Sequence, residues 1–170
     1  MGSTEWRTPQ AFFDALSCEF GGFTLDAAAT HENALCDVYC TKEGTFRKLA
    51  GFNGAQLVNI CDGLANPWPC AWRVWVNPPY FPGAALKRWV QKGWESAQQG
   101  ALVVMLLPVS TDTVWFHSYC WDKRFHRPRE GVELRFLEGR LHFSNPEKPD
   151  SDSPSGPNLL VIFHPSELAP

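Results

Sequence analysis

A chain of 170 residues that is 44% hydrophobic, with 8 Trp and 12 Phe, carries enough apolar surface for one good core and reads as a single domain. Its longest uninterrupted apolar run before a proline, Ala101 to Leu107, falls far short of the roughly 20 residues that a membrane span needs. A net charge of −3 excludes general attraction to polyanions, so any nucleic-acid surface has to be local.

In chain order, the polar and charged first residues carry no secretion signal, and Trp6 stands where a myristoylation signal needs Ser or Thr. A soluble, cytoplasmic protein is expected. Thr8 and Pro9 predict a helix start: Thr8 can cap, Pro9 suits the first turn, and Phe12, Phe13, Leu16 and Phe20 follow at helical spacing. Gly21-Gly22 then breaks the chain before Phe23-Thr24-Leu25-Asp26, a short strand ending in a carboxylate. Ligands of parallel α/β sheets bind beyond the carboxyl ends of strands, which places Asp26 for such a role, and Ala27-Ala28-Ala29 lets the backbone approach a ligand closely. Thr30 to Cys36 predicts a short helix, Val38 to Thr41 a second strand and Leu57 to Ile60 a third.

The run Val74-Trp75-Val76 stops abruptly at Asn77-Pro78-Pro79-Tyr80. Each proline fixes φ and removes an N–H, so the corner is stiff and offers carbonyl oxygens without competing donors. It suits a ligand that brings an NH₂ group. The Asn77 amide oxygen can accept one N–H, the Pro78 carbonyl the other, and Tyr80 can stack on the ring that carries the amine. A helix over Ala84 to Gln99 follows, with Leu86, Trp89, Val90 and Trp94 along one face and Gly100 as its stop.

Ala101 to Leu107 has the continuous apolar character of a central parallel strand buried on both faces. Beyond it, a helix from about Ser110 to Trp121 leads to a basic segment, Trp121 to Arg129, where Lys123, Arg124, Arg127 and Arg129 outweigh the single acid Asp122. Lys87, Arg88 and Lys92 form a weaker basic group. Leu134 to Leu137 and Arg140 to Phe143 read as strands around a tight turn, and Asn158 to Phe163 as a final strand. The order predicts an α/β domain with a mostly parallel central sheet flanked by helices and an antiparallel strand near the C-terminus. Ser144 to Pro157, rich in Pro, Ser and acids, predicts a mobile surface loop. The cysteines at 18, 36, 40, 61, 70 and 120 include no C-x-x-C pair and no His at matching spacing, so thiols are expected and no metal.

Asn77-Pro78-Pro79-Tyr80 after an apolar strand resembles the catalytic motif of amino-methyltransferases that use S-adenosylmethionine. Trp6-Arg7-Thr8-Pro9-Gln10, Phe23 to Ala29, Leu106-Leu107-Pro108 and Gly139-Arg140-Leu141-His142-Phe143 follow the order of the short phage-type, Dam-like DNA N-6-adenine methyltransferases, with a divergent middle near residues 44 to 70. The resemblance implies one Rossmann-like domain over residues 1–170, without a large separate target-recognition domain. It implies direct methyl transfer from S-adenosylmethionine to N6 of an adenine flipped out of double-stranded DNA, at Asn77, Pro78, Pro79 and Tyr80.

For the cofactor it implies Trp6, Thr8 and Pro9 ahead of the first helix, Asp26 at the methionine amino group, Ala27 and Ala28 beside it, and Asn77. Glu43, with Asp37 in reserve, is the candidate for the ribose hydroxyls and Asp62 for the cofactor's adenine. Lys123, Arg124, Arg127, Arg129 and Arg140 are the candidate DNA contacts, and the loop over 144 to 157 can close on an extruded base. Cytosine N4, RNA adenine or a protein glutamine remain alternative acceptors, as does a nucleic-acid-binding relative without turnover.

Overall fold

The computed structural model describes residues 7–50, 54–144 and 156–166. Eight strands form one sheet: β1 (Leu25–Asp26), β2 (Val38–Cys40), β3 (Thr45–Lys48), β4 (Ala55–Asn59), β5 (Arg73–Val76), β6 (Leu102–Pro108), β9 (Val132–Phe136) and β10 (Asn158–Phe163). Their order is β4-β3-β2-β1-β5-β6-β10-β9, while β7 (Trp121–Asp122) and β8 (Arg127–Pro128) make a separate hairpin. The four central strands β2, β1, β5 and β6 run parallel. Both flanks are antiparallel: β10 and β9 on one side, as the sequence predicts for the C-terminus, and β3 and β4 on the other, which it does not.

Strand periodicity separates two cores. In β5, β6 and β10, Val74, Val76, Val103, Met105, Leu107 and Phe163 point to the side of α2 (Gly83–Gln98), which contributes Leu86, Trp89 and Val90. Trp75, Val104, Leu106, Leu160 and Ile162 point the other way, onto Phe13 and Leu16 of α1 (Gln10–Glu19). A sheet covered on both faces needs strands apolar on both faces, as β6 is, and β10 from Leu159 onward. At the far end of α1, Arg135 on β9 pairs with Glu19 at 2.6 Å and with Glu133 at 2.5 Å.

The topology collects the strand ends that matter. Since β3 reverses the chain once and β4 reverses it again, β4 runs parallel in sense to β2. The carboxyl ends of β1, β2, β4, β5 and β6 and the amino end of β10 therefore share one sheet edge, where Asn158 faces Pro108 in register.

Several predicted elements are corrected. Thr8 does not cap α1: Pro9 occupies the cap position, without a side-chain cap bond, and the Thr8 hydroxyl is engaged elsewhere. Thr30 to Cys36 is a turn and no helix, because side chains take the amides that a helix would use. Asn33 Oδ1 accepts the Thr30 N–H at 2.7 Å, and Asp26 Oδ2 accepts the Leu35 N–H at 3.0 Å. The helix expected from Ser110 to Trp121 shrinks to a π-helical turn over Phe116–Cys120 with a short lead-in, its start delayed by Thr113, whose hydroxyl donates to the Ser110 carbonyl.

Arg140 to Phe143 is not a strand: after β9 the chain leaves the sheet so that Phe143 packs into the α1-side core, and only Ser144 pairs, at an isolated bridge to Arg7. The greater part of the predicted loop, residues 145–155, lies outside the described residues. No helix among the described residues is long and apolar enough to cross a membrane.

Candidate active site

Asp26 ends β1 at the shared edge and is 3% exposed. Its Oδ1 accepts the Ala28 N–H at 3.4 Å and its Oδ2 the Leu35 N–H at 3.0 Å. Burial pushes its carboxyl up to about 6, against the lowering effect of those amide bonds. A buried acid in this state gains from a cation, since a positive neighbour restores the solvation lost on burial.

One strand over, Asn77 follows β5, and its Nδ2 donates to Thr8 Oγ1 at 3.0 Å. That bond ties the corner to the segment ahead of α1 and occupies the amide nitrogen. Arg7, Thr8, Asp26, Ala28, Asn33, Leu35, Trp75 and Asn77 line one small recess of about 30 Å³. Of the residues expected around the cofactor, the fold brings four together here, Thr8, Asp26, Ala28 and Asn77. Sequence reasoning misses Arg7, Asn33 and Leu35, which reach the recess through the turn that replaces the predicted helix and through the Arg7–Ser144 bridge.

Pro78 is buried and Pro79 exposed, so the corner turns outward at its second proline. Tyr80 then lines a different and larger cleft, about 650 Å³, on the α2 side, together with Phe81, Lys87, Pro108, Ser110, Trp115 and Asn158 among others. Its hydroxyl donates to the Leu106 carbonyl at 3.4 Å and accepts from Asn158 Nδ2 at 3.1 Å. Burial raises the phenol above its ordinary range, so Tyr80 is a neutral ring anchored by its oxygen.

The remaining predicted residues separate. Ala27 is 1% exposed and packs into the α2-side core. Its carbonyl oxygen meets Gly63 so closely that a Cβ there would stand 1.8 Å from it. Glu43, exposed after β2, accepts the Thr41 hydroxyl at 2.7 Å, and Asp62 after β4 accepts the Leu64 and Ala65 N–H groups at 3.0 and 2.9 Å. Both lie on the shared edge and outside the recess lining. Pro9 follows Thr8 directly, and Trp6 lies outside the described residues.

Lys123, Arg124 and Arg127 sit exposed on the β7–β8 hairpin, with Arg124 and Arg127 5.1 and 5.3 Å from the ring centre of Phe125 at its tip. Asp122 Oδ1 braces that tip by accepting the Arg124 and Phe125 N–H groups at 2.8 and 3.2 Å. Arg129 does not share the hairpin's surface. It turns inward and donates to the His117 carbonyl at 3.2 Å. Arg140 is exposed beyond the carboxyl end of β9. All six cysteines are unbridged. Lys92, from the second basic group, lies 5.6 Å from the Trp68 ring centre.

A stiff Asn-Pro-Pro-Tyr corner thus stands between a recess with a buried acid and a cleft with an anchored aromatic ring. Residues 3–50 and 56–168 match the family model of DNA N-6-adenine-methyltransferase (Dam). A DNA N-6-adenine-methyltransferase of Escherichia phage T1 is 29% identical over 111 residues, 65% of this chain and 38% of that relative. The matched stretch thus spans less than two fifths of the relative's length. No solved structure matches the chain. With the family model covering nearly the whole sequence, the chain belongs to the DNA N-6-adenine-methyltransferase (Dam) family.

Proposed function

We propose that this protein transfers a methyl group from S-adenosylmethionine to N6 of adenine in double-stranded DNA. The observation that carries the reading is that one motif spans two sites: Asn77 lines the recess that holds Asp26, and Tyr80 lines the neighbouring cleft. A donor whose amino-acid end reached the first and an acceptor base in the second would meet at the corner between them. The residues of the recess fit the amino-acid end of the cofactor, with the buried Asp26 carboxylate for its ammonium and Arg7 for its carboxylate. Glu43 and Asp62 stand along the same edge for its ribose and adenine. When bound, S-adenosylmethionine supplies an electrophilic sulfonium methyl.

Adenine N6 is a poor nucleophile because its lone pair is delocalised into the ring. Asn77 Oδ1 and the Pro78 carbonyl accept its two N–H groups and favour a more tetrahedral nitrogen, which exposes the lone pair. Tyr80 stacks on the flipped base and replaces part of the stacking it lost in the duplex. The exposed cations Lys123, Arg124, Arg127 and Arg140 supply the local phosphate contacts that the net charge of −3 demands.

The test is to incubate the purified chain with methyl-labelled S-adenosylmethionine and separate DNA, RNA and protein acceptors, then digest whichever acceptor is labelled. N6-methyladenine in DNA is the expected product. Label confined to cytosine, RNA or protein, or no transfer at all, overturns the reading.

A further inference from the structure

The amino end of β10 brings into the larger cleft a residue that no motif marks. Asn158 is 1% exposed, faces Pro108 in register, and lines the same cleft as Tyr80. Its Nδ2 donates to Tyr80 Oη at 3.1 Å and to the Leu107 carbonyl at 3.4 Å. Tyr80 in turn donates to the Leu106 carbonyl. Asn158 Oδ1, by contrast, is buried with no hydrogen-bond partner among the described residues.

An amide inside a core is normally paired at its donors and its acceptor, because a buried polar atom left alone forfeits its hydration without return. Here the donors are used and the acceptor is forgone. What the arrangement secures is the Tyr80 oxygen, held both as donor and as acceptor at the adjoining ends of β6 and β10. A phenol ring hinged only at its Cβ can swing; one also pinned at Oη has a single tilt. The Asn158 main chain is fixed as well. The Leu137 N–H donates to the Asn158 carbonyl at 3.2 Å, and the Val109 N–H donates to the neighbouring Pro157 carbonyl at 2.9 Å.

We propose that Asn158 is a positioning residue for methyl transfer, setting through Tyr80 Oη the tilt at which the Tyr80 ring meets the acceptor base. The inference rests on the methyltransferase reading above.

The test compares wild type, the near-isosteric Asn158→Leu, Tyr80→Phe and the double variant. Asn158→Leu should lose about tenfold in kcat/KM, mostly through KM for DNA, the size expected for one broken positioning hydrogen bond. Its thermal midpoint should stay at or above that of wild type, since the lone acceptor goes too. Tyr80→Phe removes the same link from the other side, so the double variant should lose no more than the worse single one. Losses that multiply, or a midpoint that falls in step with activity, overturn the positioning role.

A readout independent of activity uses the chain's three tyrosines. With ¹³C-labelled tyrosine rings, one resonance, identified by its absence from Tyr80→Phe, should move in Asn158→Leu; an unmoved resonance overturns the link. If wild type transfers no methyl group to DNA while that resonance does move, the methyltransferase reading has failed and Asn158 is a structural anchor alone. If wild type is active and the resonance stays put, only the Asn158 inference has failed.

Discussion

At Asn77 one side chain serves twice in the proposed reaction: Nδ2 holds Thr8, and Oδ1 is the acceptor proposed for the amine. Asn77→Ala removes both: it should cut turnover by about 10² to 10³, as for other single electrostatic contacts made in a transition state, and weaken the cofactor to a lesser degree through the lost tie to Thr8. Single-turnover rates alongside calorimetric titration of the cofactor check both halves.

Asp26 gives a pH signature with a definite sign. Its carboxyl is raised to about 6 in the fold, from an ordinary value of 3.8, by burial. Cofactor affinity should hold above pH 6 and fall roughly tenfold per pH unit below it, as protonation removes the charge proposed to meet the ammonium. Folding stability runs the opposite way. Between about pH 4 and pH 6 the folded state binds more protons than the unfolded one, so this group's contribution falls by about 3 kcal/mol as pH rises. Asp26→Asn should flatten both profiles, and a cofactor titration that keeps its break near pH 6 in that variant removes Asp26 from the site.

Elements show where the sequence was legible and where it was not. Strands β6 and β10 and helix α2 fall within a residue or two of their predicted bounds, because a continuous apolar run or a one-sided helical stripe needs no tertiary partner to be recognised. Thr30 to Cys36 was illegible because its fate depends on a carboxylate outside the segment, Asp26 accepting the Leu35 N–H. The β7–β8 hairpin hid inside a basic run whose charges gave no strand period. Its arginines now divide by direction. Replacing Arg124 and Arg127 by Ala should lower DNA affinity for all sequences and flatten the salt dependence by about one unit of slope per lost contact. Arg129→Ala should lower thermal stability and leave the slope unchanged, because its guanidinium serves the His117 carbonyl.

Gly63 was missed for a related reason, since a glycine in a polar stretch carries no sign of what presses on it. A Cβ there would stand 1.8 Å from the Ala27 backbone oxygen and 2.7 Å from the Trp89 ring. Gly63→Ala should cost about 1 to 3 kcal/mol or more in denaturant titration, and weaken the cofactor by displacing the loop after β1. An unchanged midpoint would show that the Ala27 loop is free to move.

For the whole molecule, the sequence foretold a parallel centre and the convergence of Asp26 and Asn77 on one side, because α/β connectivity carries strand ends to a common edge. It could not foretell that β3 and β4 extend the sheet antiparallel. Leu57 to Ile60 reads as one more apolar strand, and neither its direction nor its outermost place is written in its pattern.

That place has a colloidal consequence. Strand β4 is the last of its flank, and Leu57, Val58 and the following Ile60 are 49%, 56% and 81% exposed. An outermost strand with greasy side chains is a template on which another chain can nucleate, and natural sheets commonly blunt such borders with lysine. Concentrated solutions of this protein should scatter light increasingly with time. Val58→Lys should suppress that scattering. Equal scattering from both proteins would mean that β4 is shielded in solution.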